Sequence, residues 1–167
     1  LAGRLYSGVK KLMHQRAQAL IEALNLEAHP EGGYYRRLFE SPQTTSDGRL
    51  CSTSIVFLLP AGAVSRWHRV DADELWHFYE GAPLELLIAE QPDQPVRHER
   101  LGPVAAEQMP QRAVVAHAWQ AARSLGDFTL VGCTVAPGFD FAGFSLLRDE
   151  PQAQLEWPLL RGYPELL

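Results

Sequence analysis

The chain is short of the features that mark many specialised proteins. It has two cysteines in 167 residues, Cys51 and Cys133. Each lies in an apolar, strand-like stretch. Two are too few for a disulfide framework in a chain this long, so both are expected to be buried free thiols. Long apolar runs are also missing. The longest, Ile55-Val56-Phe57-Leu58-Leu59, is the size of a strand and far from the roughly 20 residues of a membrane-spanning helix. A block of basic residues is absent too: the net charge is −5, with 15 Lys and Arg mixed among 20 Asp and Glu. That excludes the basic footprint of a nucleic-acid binder. Repeats and low-complexity tracts are not seen. The segment 1–13 lacks the apolar centre of a secretory signal and carries no weight for the fold. These absences point to a cytoplasmic protein without nucleic-acid or membrane partners.

What is present is an ordinary globular composition, 46% hydrophobic and 21% charged, at a length that fits one domain with a full core. The span 14–150 is expected to form that domain. Residues 151–167, with Trp157, Pro158 and Pro164, form a tail expected to pack across its outside. Within 14–26, Ala17, Leu20, Ile21 and Leu24 recur at helical spacing and predict one amphipathic helix. Pro30, Gly32 and Gly33 then end helical order. From Tyr34 onward, short apolar or alternating stretches are punctuated by Gly and Pro. Examples are 34–39, 51–59, 67–70, 75–79, 84–89 and 128–135. This pattern predicts an all-β sandwich or barrel with a short N-terminal helix.

One segment carries more than fold. In Gly62-AVSRW-His68-R-Val70-DAD-Glu74-LWHFYE-Gly81, residues two apart on a strand share a face, so His68 and Val70 point the same way. The Asp71-Ala72-Asp73 turn reverses the chain and returns Glu74 beside them. Trp76 and Phe78 share Glu74's face and are candidate pocket aromatics. His77 and His117 fall on opposite faces from Glu74 and Gln120 by the same alternation.

This segment resembles the first motif of the cupins: glycine, five residues, His-x-His, three or four residues, glutamate, six residues, glycine. Gly62, His68, Glu74 and Gly81 are in register, and Val70 replaces the second histidine. HPEGGYYRRLFES, STSIVFLLPAG, AWQAAR and LVGCTVAPGFDFAGF extend the resemblance over most of 29–147. They are similar to a cupin family of largely unknown function, related in fold to rhamnose-pathway sugar epimerases. The resemblance implies a jelly-roll β-barrel and a homodimer. Metal-binding cupins add a histidine from a second motif. The best register for it, Met109 to Gln120, puts Val115 at its proline, His117 at its second glycine and Gln120 at its histidine. A metal, if bound, would therefore have His68, Glu74 and Gln120. Zinc and iron sites normally need three good donors, so a tight metal is not expected.

The candidates for chemistry are His68 as acid or base and Glu74 as the carboxylate that tunes it. Arg36 is the preferred anchor for an anionic group, with Tyr34 on its face. Tyr35 is the alternative if the strand is bulged. Gln120 offers an amide to a ligand hydroxyl. The leading expectation is a barrel that binds a small polar ligand, such as a carbohydrate derivative, with epimerase- or isomerase-like proton transfer. A non-catalytic sensor or binding module and a metal-dependent enzyme are the alternatives.

Overall fold

A computed structural model describes residues 13–167. The leading segment, apart from Met13, lies outside the described residues. Helix α1 runs Gln15–Leu24, and Asn25 closes it in a left-handed conformation. Eleven strands follow: β1 Glu27–Ala28, β2 Tyr34–Glu40, β3 Thr53–Pro60, β4 Val64–Val70, β5 Asp73–Gly81, β6 Leu84–Ala89, β7 Arg97–Leu101, β8 Gln111–Val114, β9 Trp119–Ser124, β10 Phe128–Ala136 and β11 Phe144–Leu146. They form two antiparallel sheets, ordered β1-β2-β3-β10-β5-β8 and β11-β4-β9-β6-β7. The sheets face each other across a core that includes Phe57, Trp76, Leu86, Ile88, Val131 and Cys133. This is the all-β architecture with a short N-terminal helix that the strand pattern predicts, and the jelly roll that the resemblance implies.

Alternation along each strand decides what faces the core. On β3, Phe57 and Leu59 point inward, whereas Val56 and Leu58 point outward under Ala17 and Leu20 of α1. On β4, Trp67 points outward. It joins Trp119 and Leu87 beneath Leu160 and Leu166 of the tail, which folds as a short helix, Pro151–Glu156, and 3₁₀ turns. The outer faces of both sheets are thus covered, one by α1 and the other by the tail.

Strand β4 contains the irregularity that builds the site. Its pairing with β9 shifts register between Ser65 and His68. Three residues apart on a regular strand, these side chains would face opposite ways. The bulge turns both inward, and both are buried. Upstream of β2, the turn His29–Gly33 is closed by Gly32 N–H donating to His29 O at 3.0 Å and His29 N–H donating to Gly33 O at 3.1 Å. It is fixed to β4 by Arg66 N–H donating to Glu31 O at 2.9 Å.

Gly32 has φ +113°, and a Cβ there would run into the Val64 carbonyl. Only glycine fits this conformation at such close approach. Gly32→Ala should lower stability by about 3 kcal/mol, because it adds strain and parts the turn from β4. Denaturant unfolding measures this, and an unchanged midpoint would show that the turn is not needed to hold the barrel together.

Candidate active site

The barrel interior holds two carboxyl groups, and His68 touches one of them. His68 is buried, on β4 directly across from Gln120 of β9. Its Nδ1 lies 2.7 Å from the Arg66 carbonyl. A carbonyl only accepts, so Nδ1 carries the proton and Nε2 presents a lone pair. Facing that lone pair at 3.3 Å is Oε2 of Glu31. The same oxygen lies 3.5 Å from His29 Nδ1, which itself accepts from the Glu31 backbone N–H at 3.3 Å. The other oxygen of Glu31 accepts from the Ser65 hydroxyl at 2.8 Å.

The hydrogen-bond inventory then places one proton. Glu31 Oε2 stands between two imidazole nitrogens that offer lone pairs, so a proton must lie on that oxygen or pass from it to His68. Burial favours the neutral arrangement, acid with imidazole, over the ion pair. It pushes the Glu31 carboxyl up from 4.5 to about 8, with Ser65 opposing weakly. It also pulls His29 down from 6.5 to about 4, helped by the charge of His68. His68 is lowered by burial as well, although the nearby Glu74 carboxylate and the Arg66 carbonyl favour its charged form. Desolvation outweighs the carboxylate's effect on this histidine.

Glu74 is held separately. Its Oε2 accepts from the Gln120 amide at 2.5 Å, and the Cys133 thiol donates to it. Burial raises its pKa despite these bonds and the charge of His68, and Glu31 raises it further. Gln120 in turn accepts from the Trp76 indole at 2.9 Å. Both ends of the Gln120 amide are therefore engaged inside the protein.

An inner chamber of about 40 Å³ opens on His29, His68, Val70, Glu74 and Cys133. It leads to an outer vestibule of about 580 Å³, open to solvent, with Arg49, Leu50, Gly138 and Asp140 on its walls. Tyr35, Arg37, Phe139 and Phe141 line both. They form the neck between the chambers.

Several site residues fall where the sequence places them. His68, Glu74 and Gln120 come together inside the barrel, and Val70 shares their chamber. Four do not match their expected roles. Tyr34 packs outward against α1. Arg36 is exposed and donates to the Leu24 carbonyl at the end of that helix, at 3.1 Å. Tyr35 and Arg37 face the cavity instead. The reason is register: Tyr35 sits opposite the inward Phe57, and Tyr34 opposite the outward Leu58. The bulge in β2 comes after Arg37, so it does not alter this. Trp76 and Phe78 point inward but pack in the core beside Phe57 and Val131, and do not line the chamber. Glu31 and His29 are the residues the motif reading misses. Their signal was the HPEGG turn, which reads locally as a helix stop and gives no hint that it folds back onto β4.

The metal set of other cupins does not fit here. Val70 stands at one ligand position, and Gln120 spends its amide on Glu74 and Trp76. No three His, Cys, Asp or Glu side chains among the described residues converge closely enough to hold an ion. His117 supports the register of the second motif, since its φ of +68° is the conformation a glycine would adopt.

Two facing antiparallel sheets enclosing a polar pocket of this kind define a cupin barrel. The family model described as Cupin superfamily (DUF985) matches residues 18–147, and the chain belongs to that family. A crystal structure of a protein from Shewanella oneidensis is 35% identical, with TM-score 0.82, over 90% of this chain and 96% of that one. A hypothetical protein from Leishmania major is 27% identical, with TM-score 0.70, over 85% and 96%. More distant likeness reaches oxalate decarboxylase from Bacillus subtilis, at 13% identity and TM-score 0.59 over 84% of this chain and 36% of that one. At that distance the likeness is one of fold alone. No curated protein matches the sequence. Among the described residues, no helix is long and apolar enough to cross a membrane.

The Glu31 proton has a thermodynamic signature. Between pH 4.5 and about 8 the folded state holds a proton on Glu31 that the unfolded chain has lost. Stability contributed by this group is therefore complete at low pH and declines as pH rises through that window. His29, lowered to about 4, acts in the opposite sense, but only below about 6.5. From pH 6.5 to 8 stability should fall with rising pH, by up to about 1.4 kcal/mol per unit. Glu31→Gln should flatten that slope in urea titrations. A flat wild-type profile across that window would mean that Glu31 is already ionised in the folded protein.

Proposed function

We propose that the protein binds a small polar molecule in its barrel and moves a proton on it, in the manner of an epimerase or isomerase, with Glu31 and His68 as the proton-handling pair. The observation that carries this reading is the 3.3 Å approach of Glu31 Oε2 to His68 Nε2 where both side chains are buried. A neutral acid beside a neutral imidazole can both give and accept a proton near neutral pH, as a reversible transfer requires. Ser65, His29 and the Arg66 carbonyl fix both groups, so little rearrangement is needed when a ligand arrives. Glu74, held by Gln120 and Cys133, is a positioning residue. When ionised, it favours the imidazolium that forms when His68 takes a proton.

The bound molecule is polar and small, with carbohydrate derivatives as a fitting class. Their hydroxyls match the acceptors of the inner chamber, and their ring faces match the aromatic neck. The test is exchange of carbon-bound hydrogen for deuterium in heavy water, followed by NMR on a panel of aldoses, sugar acids and hydroxy acids. Exchange is expected for at least one member. It should drop by about 100-fold or more in Glu31→Gln and in His68→Ala. Retention of exchange in both variants would sink the assignment. Saturable binding without any exchange would replace it with a non-catalytic binding module.

We also propose a homodimer assembled along β2. Among the described residues, β1 pairs with Tyr34 and Tyr35 and the rest of that edge is open, with Leu38 at 61% and Phe39 at 49% exposure. An apolar open edge favours pairing with a second copy. Sedimentation should show dimer at micromolar concentration, and Leu38→Glu with Phe39→Glu should shift it to monomer. A wild-type monomer at that concentration would refute the dimer.

A further inference from the structure

The neck between the two chambers sorts charge. Arg37 lines both spaces and its guanidinium lies over the Phe139 ring, 5.8 Å from the centroid. Its ion pair is with Glu40, at 2.8 Å on an exposed surface, and such pairs hold a guanidinium only weakly. The second arginine of the vestibule is fully engaged. Arg49 donates to both oxygens of Asp71, at 3.0 and 2.7 Å, and to the Gly138 carbonyl at 2.6 Å. Arg37 is thus the vestibule cation with capacity for a new partner.

The inner chamber has the opposite character. Glu74 lines it and Glu31 lies behind its wall, 3.3 Å from His68, and each is held in place by neutral donors or imidazoles. An anionic group driven in there would lose its water and meet the Glu74 carboxyl, with that of Glu31 close behind. The chamber, at about 40 Å³, also has room for one head group and not for a whole ligand. The body must remain in the vestibule, against Phe139 and Phe141, whose rings meet edge to face at 5.0 Å. The vestibule carries acids of its own, Glu27 and Asp140. Asp140 is committed to the Ala142 N–H at 2.9 Å. Those acids disfavour a second negative charge on the ligand.

We propose that the ligand is a small monoanion bound tail-out: its carboxylate meets Arg37 at the neck, and an uncharged hydroxyl- or carbonyl-bearing head enters the inner chamber beside His68, with Glu31 behind it. The inference rests on the barrel pocket being the ligand site. It names the ligand's charge and its direction of entry. Planar bidentate recognition of an oxyanion is the task to which a guanidinium is best suited.

The test compares each acid with its own amide, which changes charge and little else. Ligand-observed NMR would titrate gluconate against gluconamide and 4-hydroxybenzoate against 4-hydroxybenzamide. The anion should bind about tenfold or more tightly than its neutral partner in at least one pair. Arg37→Gln should bring that ratio close to one while thermal unfolding remains cooperative. Arg36→Gln, on the outer face, should leave the ratio intact. Equal affinity within every pair, a preference that survives Arg37→Gln, or no binding of any probe at tens of millimolar would each overturn the proposal. The ratio is read from binding without turnover, so its failure is separate from failure of proton transfer at Glu31 and His68.

Discussion

A single buried carboxyl proton organises the interior of this barrel. Glu31 Oε2 sits between His68 Nε2 and His29 Nδ1, and neither nitrogen has a proton to offer it. Remove the proton and three acceptors converge in a dry space. The surrounding structure follows from keeping it there. Glycine at position 32 lets the HPEGG turn approach β4. A bulge turns Ser65 inward to hold the other Glu31 oxygen. The Arg66 carbonyl fixes which nitrogen of His68 is free. These features come from segments more than 30 residues apart, and they meet at one carboxyl group.

The same constraint explains why the site departs from the metal-binding pattern of its fold. A cation would satisfy buried carboxylates directly. Here the carboxyls are satisfied by a proton, a serine, an amide and a thiol. Val70 then fits naturally, because a chamber neutral on one wall tolerates an apolar side chain where an imidazole would otherwise stand. Gln120 belongs to a chain that runs from Trp76 through its amide to Glu74, and it acts as a strut.

Much of the fold was legible in the sequence because strand alternation and Gly/Pro punctuation are local signals. The positions of His68, Val70, Glu74 and Gln120 followed from one spaced motif and a poor match to a second. The face of β2 was not legible. Tyr34-Tyr35-Arg36-Arg37 has nearly equivalent residues on both faces, and α1, which claims the outer one, lies outside the strand's own pattern. Arg37 was therefore hidden behind Arg36. Trp76 and Phe78 had the right direction and the wrong depth, which alternation cannot report. Glu31 and His29 were hidden for a different reason. Their role depends on a turn meeting a bulged strand 35 residues later, and no short window contains both.

Trp76 gives the barrel a built-in optical reporter. Its indole is fully buried and tied through Gln120 to the Glu74 carboxylate, whereas Trp67 and Trp119 lie on the other side of the second sheet, under the tail. A change of charge at Glu74 alters the field along the Trp76 ring and leaves the tail-side indoles, Trp157 among them, largely unaffected. With Trp67, Trp119 and Trp157 replaced by phenylalanine, emission from the barrel indole would follow events in the chamber without any added label.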